Sequence, residues 1–302
     1  MLKISAQHNV IALKYGIKEG FKIMAEAGFD AVDLSISSGH IRWEEGFLQD
    51  ASSPEFAEFF KDIGKSAKEC NIEVCMTHAP FSKANVSDPE VYAKVQQQTI
   101  RAIYATGHIG SPYIVAHPVN YPDFDNGQNR ERGMQVNLQY FSMFVPALKE
   151  TGVIMCIENL FRKLESGLKV SNAMSKAEDL AELVDTLNEM HGPYFAACLD
   201  VGHGVVVGED LCHMLRVLGQ RTRVLHIHDV QGVQEDHHEP GSGSIDWEAL
   251  MRTLKEVGYH GCFNFETDQY WRAIKRGYFN RQVVLSAAKL LYDMGRALLE
   301  IE

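Results

Sequence analysis

The sequence predicts a single (β/α)8 barrel, the TIM-barrel fold class, that forms one domain over residues 1–302. Short apolar segments alternate with segments of helical periodicity along the whole chain, and eight such pairs are typical of one closed parallel barrel. The His, Trp and acidic residues follow the strands, where barrels build their active sites. A doubly wound open sheet is the second choice, because the Gly-rich phosphate loop that usually follows its first strand is absent.

Each predicted strand is a short apolar segment that ends at a polar residue, Gly or Pro. The third strand stops at Ala79-Pro80 and the fourth at Pro118, since Pro cannot continue a ladder of hydrogen bonds. In chain order, the strands are predicted at residues 2–9, 30–35, 72–78, 113–117, 153–159, 195–200, 224–230 and 261–267.

The predicted helices have one apolar face and recognisable ends. Gly28 ends the first helix, and Ser53 followed by Pro54 begins the second. Ser175 and Asp246 stand where they would cap the starts of two later helices. In chain order, the helices are predicted at about residues 17–27, 54–70, 89–108, 130–151, 175–191, 210–220, 247–257 and 278–300.

Composition restricts the class of protein. Apolar residues make up 45% of the chain and charged residues 23%, which is ordinary for a globular protein with a full core. No apolar run approaches the ~20 residues that span a bilayer, and residues 1–6 lack signal-peptide architecture, so we expect a cytoplasmic protein without a membrane partner. The net charge of −11 disfavours nucleic acid as a partner. The six cysteines form no C-x-x-C pair, which favours free thiols over a disulfide framework.

Four side chains at strand ends are expected to converge. Glu158, Asp200 and Glu266 each end an apolar strand, and His226 lies in another. A carboxylate buried alone is costly, and three acids buried at matching depth by chance would be rare. Three oxygen donors and one imidazole therefore predict a site for one divalent metal ion, with Mn²⁺ preferred and Mg²⁺, Co²⁺ or Zn²⁺ compatible.

Strand parity extends this polar layer, because side chains alternate between the two faces of a strand. The same parity places His8, His78 and His117 at comparable depth, although each alone is equally well interpreted as a core residue with one hydrogen bond. His228, two residues after His226, could support that ligand or simply be solvated. Four cysteines are interpreted as packing residues one layer below the metal: Cys75, Cys156, Cys198 and Cys262.

Aromatic and basic residues in the strand-to-helix loops suggest substrate contacts. The basic residues Arg272, Lys275 and Arg276 and the loop at residues 241–243 lie where many barrels bind phosphate, but a solvated helix start explains them equally well. The aromatic residues could stack on a sugar ring, or merely seal the barrel. They are Trp43, Phe81, Tyr121, Phe161 and Trp271.

Short motifs end most of the predicted strands, each weak alone. They are Thr77-His78-Ala79-Pro80, Ala116-His117-Pro118, Ile157-Glu158-Asn159, Leu199-Asp200-Val201-Gly202-His203, His226-Ile227-His228-Asp229, the segment His238 to Trp247 and Asn264-Phe265-Glu266. As a set, which covers almost the whole chain, they resemble the xylose isomerase-like barrel superfamily. That superfamily includes sugar isomerases and epimerases, hydroxypyruvate isomerase, inosose dehydratase and the endonuclease IV nucleases.

The resemblance implies roles for these residues. In the ketose 3-epimerase and isomerase branch, it implies that the four predicted ligands hold one metal ion and that Glu158 and Glu266 are the acid/base pair. It implies that His203 and His237 bind substrate, where that branch has Arg in place of His237. In the endonuclease IV branch it implies a trinuclear zinc site, with Glu235 where that branch has Asp. The matching positions are His78, His117, Glu158, Asp200, His203, His226, Glu235, His237 and Glu266.

The predicted function is a divalent-metal-dependent isomerase or epimerase of a small keto sugar or sugar derivative. A proton next to a carbonyl would be removed, with the metal stabilising the enediolate and the Glu pair moving the proton. The alternatives are an endonuclease IV-like phosphodiesterase, a dehydratase of an inosose-type keto-polyol and a non-catalytic sugar-binding barrel. The acidic charge and aromatic loops favour a carbohydrate partner, and a homo-oligomer is compatible with the sequence. Substrate contacts are expected from His78, His117, His203, His237, Trp43 and Trp271.

Overall fold

A computed structural model describes residues 2–36, 41, 46–80, 89–121, 124, 127–232 and 234–301, apart from the side chains of residues 89 and 234–236. Eight parallel strands in this part of the chain form one barrel, so the predicted fold class is confirmed. None of the described helices combines the length and the apolar character that crossing a bilayer requires.

The strands of the barrel lie within a few residues of their predicted positions. They are β1 (Ile4–Gln7), β2 (Ala31–Ser35), β3 (Glu73–His78), β4 (Tyr113–Ala116), β5 (Ile154–Glu158), β8 (Phe195–Asp200), β9 (Thr222–His226) and β12 (Phe263–Phe265). Two antiparallel hairpins lie outside the barrel: β6 (Phe161–Lys163) with β7 (Lys169–Ser171), and β10 (Asp229–Gln231) with β11 (Gln234–His238).

The helices lie between the strands in sequence. They are α1 (Asn9–Tyr15), α2 (Ile17–Ala27), α3 (Pro54–Glu69), α4 (Pro89–Ile109), α5 (Gly127–Ser142), α6 (Val145–Thr151), α7 (Ala177–His191), α8 (Val201–Val206), α9 (Leu211–Leu218), α10 (Trp247–Glu256), α11 (Arg272–Lys275) and α12 (Arg281–Leu299). The predicted caps of α3 and α10 are confirmed, because Ser53 accepts a hydrogen bond from the Phe56 N–H at 3.1 Å and Asp246 accepts one from the Ala249 N–H at 3.0 Å.

The barrel closes between its last two strands. The strand order is β12-β1-β2-β3-β4-β5-β8-β9, and Ile227, just after β9, pairs with Phe265 of β12. The Ile227 N–H donates to the Asn264 carbonyl at 2.8 Å, and the Glu266 N–H donates to the Ile227 carbonyl at 3.0 Å. Because all eight strands run the same way, the residues at their carboxyl ends meet at one end of the barrel. We call that end of the interior the mouth and the amino-terminal end the floor.

The interior below the mouth is filled by small residues, as the strand parity predicts. Cys156 and Cys198 are fully buried there, and none of the six cysteines forms a disulfide. The strand cysteines therefore contribute to an apolar cluster in the interior, although the Cys198 Sγ also lies within 4.8 Å of donor atoms of Glu158 and His226. The members of this cluster are Ala31, Cys75, Met76, Val115, Cys156, Ala196, Cys198 and Val224, with Cys262 packed against them.

Two predicted boundaries are wrong for local reasons. The helix predicted over residues 130–151 is two helices, α5 and α6, because Pro146 at the start of α6 lacks an N–H and its ring would clash inside a continuous helix. The strand predicted over residues 224–230 ends at His226, since the residues after it turn away to pair in the β10–β11 hairpin. Helices α1, α8 and α11 were not predicted.

Ser175 does not cap a helix, contrary to prediction. The cap position of α7 is Lys176, which makes no side-chain hydrogen bond there. The Ser175 hydroxyl instead donates to the Leu160 carbonyl and accepts a hydrogen bond from the Asn172 N–H at 2.7 Å. It therefore ties the two ends of the β6–β7 hairpin together, next to the mouth.

Candidate metal centre at the barrel mouth

The four side chains predicted to converge lie together at the mouth. Glu158, Asp200 and His226 are the last residues of β5, β8 and β9, and Glu266 directly follows β12. One donor atom from each lies within 4.8 Å of the donor atoms of the other three. All four are buried: Glu158 is 1% exposed and Glu266 is 5% exposed, and the other two are fully buried. The parallel barrel thus brings together residues that are up to 108 positions apart, from 158 to 266.

The His226 imidazole faces the three carboxylates. Its Nδ1 lies 2.8 Å from Glu266 Oε2, 3.3 Å from Glu158 Oε1 and 3.9 Å from Asp200 Oδ2. The strands of Asp200 and His226 lie between those of Glu158 and Glu266 in the ring, so the two glutamates approach from opposite sides of the group. The four residues therefore surround a small space rather than forming a row.

Opposing effects set the charge of this group. Burial alone would raise the pKa of Glu158, but the imidazoles of His226 and His117 more than offset it and hold this pKa well below its usual range. Burial likewise opposes a lowered pKa for Glu266, which the His226 imidazole nevertheless lowers. Burial would lower the pKa of His226, but Cys198 and the two glutamates raise it well above its usual value. Both glutamates are therefore held ionised at neutral pH.

Two further histidines lie against one oxygen of Glu158. Its Oε2 is 3.0 Å from His117 Nε2 and 3.3 Å from His78 Nε2, and the three side chains form a second group that could hold a metal ion. Burial lowers the pKa of His117, whereas Glu158 offsets burial and raises the pKa of His78. The two carboxylate oxygens of Glu158 thus face different sets of donors.

Asp200 is held by one backbone N–H and by two side chains. Its Oδ1 accepts a hydrogen bond from the His203 N–H at 2.6 Å, which caps helix α8. The Asn159 side chain makes two hydrogen bonds with the main chain of Asp200: it donates to the Asp200 carbonyl at 2.9 Å and accepts from the Asp200 N–H at 2.7 Å. His228 Nε2 lies 3.0 and 3.1 Å from the two carboxylate oxygens. Of these partners, sequence reasoning assigned no role to Asn159.

A cavity of about 410 Å³ opens over the group. The carboxylates of Glu158 and Glu266 reach it, together with the imidazoles of His117, His203 and His237. The His203 Nδ1–H donates to the Asn159 carbonyl at 2.9 Å, and the His237 Nδ1–H donates to the Glu266 carbonyl at 3.0 Å. Other described lining residues are Gln7, Asn9, Val10, Leu13, Ser35, Leu160, Phe161, Asp268 and Lys275.

The sequence matches the family described as xylose isomerase-like TIM barrel over residues 21–291. The chain belongs to this family. The match spans the residues of the mouth from His78 to Glu266, so the family resemblance drawn from the short motifs is confirmed.

Similar proteins include both an uncharacterised protein and a nuclease. An uncharacterised protein of Methanocaldococcus jannaschii is 25% identical, with 88% of this chain and 84% of that protein aligned. A probable endonuclease 4 of Thermoplasma acidophilum is 24% identical, with 78% of this chain and 79% of that protein aligned.

Many solved structures share the fold, including those of two sugar-epimerase-type proteins. A D-tagatose 3-epimerase-like protein has a TM-score of 0.70 at 19% identity and covers 99% of both chains. An L-ribulose 3-epimerase has a TM-score of 0.72 at 15% identity and covers 99% of this chain and 95% of its own. At these identities the likeness establishes the architecture of this xylose isomerase-like barrel.

Other predicted site residues occupy different places in this xylose isomerase-like barrel. Trp271 is 1% exposed and packs edge-on against Tyr270 in the core at 5.1 Å, outside the described lining of the cavity. Phe161 lines the cavity and meets His203 edge-on at 5.0 Å. Tyr121 is half-buried against the core. Trp43 and Phe81 lie outside the described residues, as does the side chain of Glu235.

The prediction that His8 lies at the depth of the polar layer is wrong. Ser5 and Gln7 face the barrel interior, where they contact Asn264 and Glu266, so His8 has the opposite parity. Its ring stacks on Phe21 of α2 at 4.9 Å with 9° between the planes. His8 is therefore a residue of the layer between β1 and α2.

Sequence reasoning missed two inward-facing polar residues. The Gln7 side-chain amide donates to Glu266 Oε1 at 2.5 Å, and Asp33, next to Gln7 in the register of β1 and β2, is fully buried. Burial raises the pKa of Asp33 to about 6, against a smaller lowering by His226 and His78. The alternation of Ala31, Asp33 and Ser35 in β2 is the signal that could have revealed it.

The donor set fits a divalent cation. Three buried carboxylates need compensating positive charge, and the described partners of Glu158, Asp200 and Glu266 at the mouth are imidazoles, Gln7 and backbone N–H groups. One imidazole and three carboxylate donors within 4.8 Å match the preferences of a hard or borderline metal ion. Glu158, Asp200, His226 and Glu266 could therefore hold one such ion.

Proposed function

We propose that this protein is a divalent-metal-dependent isomerase or epimerase of a small keto sugar or sugar derivative. The observation that carries the proposal is the convergence of Glu158, Asp200, His226 and Glu266 within 4.8 Å at the mouth of a closed barrel. The fold is shared with a D-tagatose 3-epimerase-like protein and an L-ribulose 3-epimerase, which supports this reaction class.

The four residues would hold the metal ion, and Mn²⁺ is the ion that we propose. When bound, it would draw electron density from a substrate carbonyl and the neighbouring hydroxyl, and so stabilise the negative charge left by a departing proton. Asp200 serves only as a ligand in this scheme, because its carboxylate is already held by the His203 N–H and by His228.

Glu158 and Glu266 are suited to moving the proton. Both line the cavity, and the lowered pKa of each keeps its carboxylate ionised at neutral pH, the state that a base needs before it can take a proton. Because they approach from opposite sides of the group, one would remove a proton from one face of the substrate carbon and the other would return one to the opposite face. Return to the opposite face of the same carbon gives epimerisation, and return to the adjacent carbon gives aldose–ketose isomerisation.

The cavity suits a small polar substrate. Its volume of about 410 Å³ and its lining of imidazoles, carboxylates and amides favour a molecule rich in hydroxyl groups. His117, His203 and His237 stand around it as hydrogen-bonding groups, and the Phe161 ring covers one side. We propose these four residues, with His78 behind His117, as the substrate-binding set.

Solvent deuterium exchange tests the proposal. The Mn²⁺-loaded protein is incubated in deuterated buffer with a panel of ketopentoses and ketohexoses that includes D-tagatose and L-ribulose, and incorporation at carbon is followed by NMR. The variants Glu158→Gln and Glu266→Gln, assayed at Mn²⁺ concentrations that keep them loaded, should lose exchange by about 10²–10⁴-fold, the usual contribution of a positioned acid or base.

The matched control is Glu300→Gln, which removes an exposed carboxylate beyond α12, and it should exchange like the unchanged protein. Full exchange in both mouth variants would rule out the Glu pair as the acid and base. A protein that binds no divalent cation would rule out the proposed function as a whole.

One observation favours a second candidate, a metal-dependent phosphodiesterase. His78, His117 and Glu158 form a second potential metal group that shares Glu158 with the first, and a sequence relative is a probable endonuclease 4. Metal analysis together with an abasic-DNA cleavage assay separates the two candidates. Two or three zinc ions per chain with cleavage would favour the phosphodiesterase, whereas one ion without cleavage would favour the sugar enzyme.

A further inference from the structure

His228 is buried beside the candidate metal centre but does not reach the cavity. Its side chain is 0% exposed, and it is absent from the described lining of the cavity. Its Nε2 lies almost equally far from both oxygens of Asp200, at 3.0 and 3.1 Å. Because a carboxylate accepts and does not donate, the Nε2–H donates to Asp200. The imidazole thus contacts both oxygens of that carboxylate without lining the cavity.

The same ring supports a second element of the mouth. His228 and His237 stack with their centroids 4.1 Å apart and 2° between their planes. His237 has a positive φ of 48°, which is unfavourable for a residue with a side chain and persists only where neighbouring structure holds it. Its Nδ1–H donates to the Glu266 carbonyl at 3.0 Å. The His228 ring therefore connects Asp200, the last residue of β8, with His237, which is hydrogen-bonded to Glu266 just after β12.

Gly202 makes room for this arrangement. A Cβ at position 202 would lie 2.0 Å from His228 Cε1 and 2.6 Å from each ring nitrogen, far inside van der Waals contact. Any larger residue would push the imidazole away from Asp200. The close approach of His228 to Asp200 therefore depends on glycine at position 202, two residues after the carboxylate in sequence.

We propose that His228 is a positioning residue for the candidate metal centre: it orients Asp200 toward the ion through the Nε2–H and supports the His237 imidazole through the ring. This inference rests on the metal site of the proposed function. A carboxylate with a fixed plane loses less freedom on binding an ion, and groups that orient ligands in this way typically contribute 10–100-fold to metal affinity.

Two substitutions separate the hydrogen bond from the packing. His228→Phe keeps an aromatic ring against His237 but removes the N–H, and His228→Gln keeps a side-chain N–H that reaches Asp200 but removes the ring. Mn²⁺ affinity is measured by competition with a chelator, and thermal unfolding of the metal-free protein is measured in parallel. His228→Phe should bind Mn²⁺ about 10–100-fold more weakly, and His228→Gln should restore most of the affinity.

The control is His213→Gln, which changes an exposed histidine paired with Glu178 and should leave Mn²⁺ affinity unchanged. Gly202→Ala gives an independent test, because it displaces the imidazole without altering its chemistry, and it should weaken Mn²⁺ binding in the same direction. If His228→Phe does not fold, the Mn²⁺ affinity of Gly202→Ala is the measurement that decides.

The outcomes are distinct. Weak binding in His228→Phe that is rescued by His228→Gln supports the inference. Equal losses in the two His228 variants would reduce His228 to a packing residue and overturn it, as would unchanged affinity in His228→Phe or, where that variant does not fold, in Gly202→Ala. Absence of Mn²⁺ binding by the unchanged protein would instead overturn the metal site of the proposed function.

Discussion

The two ends of the barrel interior differ in chemistry more than in size. The floor opens into the larger cavity, about 760 Å³ against about 410 Å³ at the mouth. The floor is lined mainly by apolar side chains, with the thiols of Cys75 and Cys262 and an exposed ion pair between Lys3 and Glu73. The mouth instead buries three carboxylates and several imidazoles. Cavity volume alone would make the floor the candidate active site. The group of buried charged residues that could act on a substrate, however, lies at the mouth.

This difference in chemistry means that the mouth, and not the floor, carries the energetic cost of burying ionised side chains. Burial raises the pKa of the Cys75 thiol at the floor and of the Cys156 thiol in the interior above it, so these two stay neutral and pack as small apolar groups. At the mouth, Glu158 and Glu266 are buried too, but imidazoles lie against them and lower their pKa, so these two carboxylates remain ionised. We therefore expect the mouth to respond strongly to a cation, to charge removal and to pH, and the floor to respond little.

The largest expected effect is stabilisation by the metal ion. Mn²⁺ at about 1,000 times its dissociation constant should raise the free energy of unfolding by about 4 kcal/mol. Urea unfolding with Mn²⁺ and with a chelator measures this. Asp200→Asn at the mouth should lose most of the gain, and Cys75→Ser at the floor should keep it. If Cys75→Ser loses the stabilisation by Mn²⁺ and Asp200→Asn keeps it, the metal ion does not bind at the mouth.

A somewhat smaller effect is expected at Asp33, just below the mouth. Its pKa is about 6, raised from 3.8 by burial, so the folded state keeps a proton that the unfolded state releases, and stability falls as the pH rises from 3.8 to 6. Asp33→Asn should therefore stabilise the metal-free protein by about 3 kcal/mol at pH 7.5 and by about half of that at pH 5.

Urea unfolding at the two pH values checks this sign. Asp293→Asn serves as the control, because that carboxylate is exposed beside Lys289 and its removal should change stability by less than about 0.5 kcal/mol at either pH. An Asp33→Asn variant that is less stable at pH 7.5 would show that the carboxylate is compensated where it lies.

The smallest effect is expected at the floor. The Lys3–Glu73 pair is 2.6 Å long, but both side chains are more than half exposed, so water screens it. Glu73→Gln should lower the free energy of unfolding by less than about 1 kcal/mol and leave Mn²⁺ affinity unchanged. A change in Mn²⁺ affinity would mean that the two ends of the barrel are coupled.

Local signals predicted much of the fold. Ser53 and Asp246 cap their helices as expected, because a cap depends on a few neighbouring residues. The alternation of strand side chains correctly placed Cys156 below Glu158 and Cys198 below Asp200. The same rule failed for His8, because parity requires the inward residue of a strand to be known first, and in β1 that residue is Gln7.

The barrel, the strand ends and the residue types at the mouth follow from periodicity and from short motifs in the sequence. Which polar groups touch each other follows only from the way the chain folds in three dimensions. The hydrogen bond from His228 to Asp200, the contact of Gln7 with Glu266 and the burial of Trp271 away from the cavity depend on strand closure and on loops that fold back over the barrel. Such contacts join residues far apart in the chain, so no local pattern encodes them.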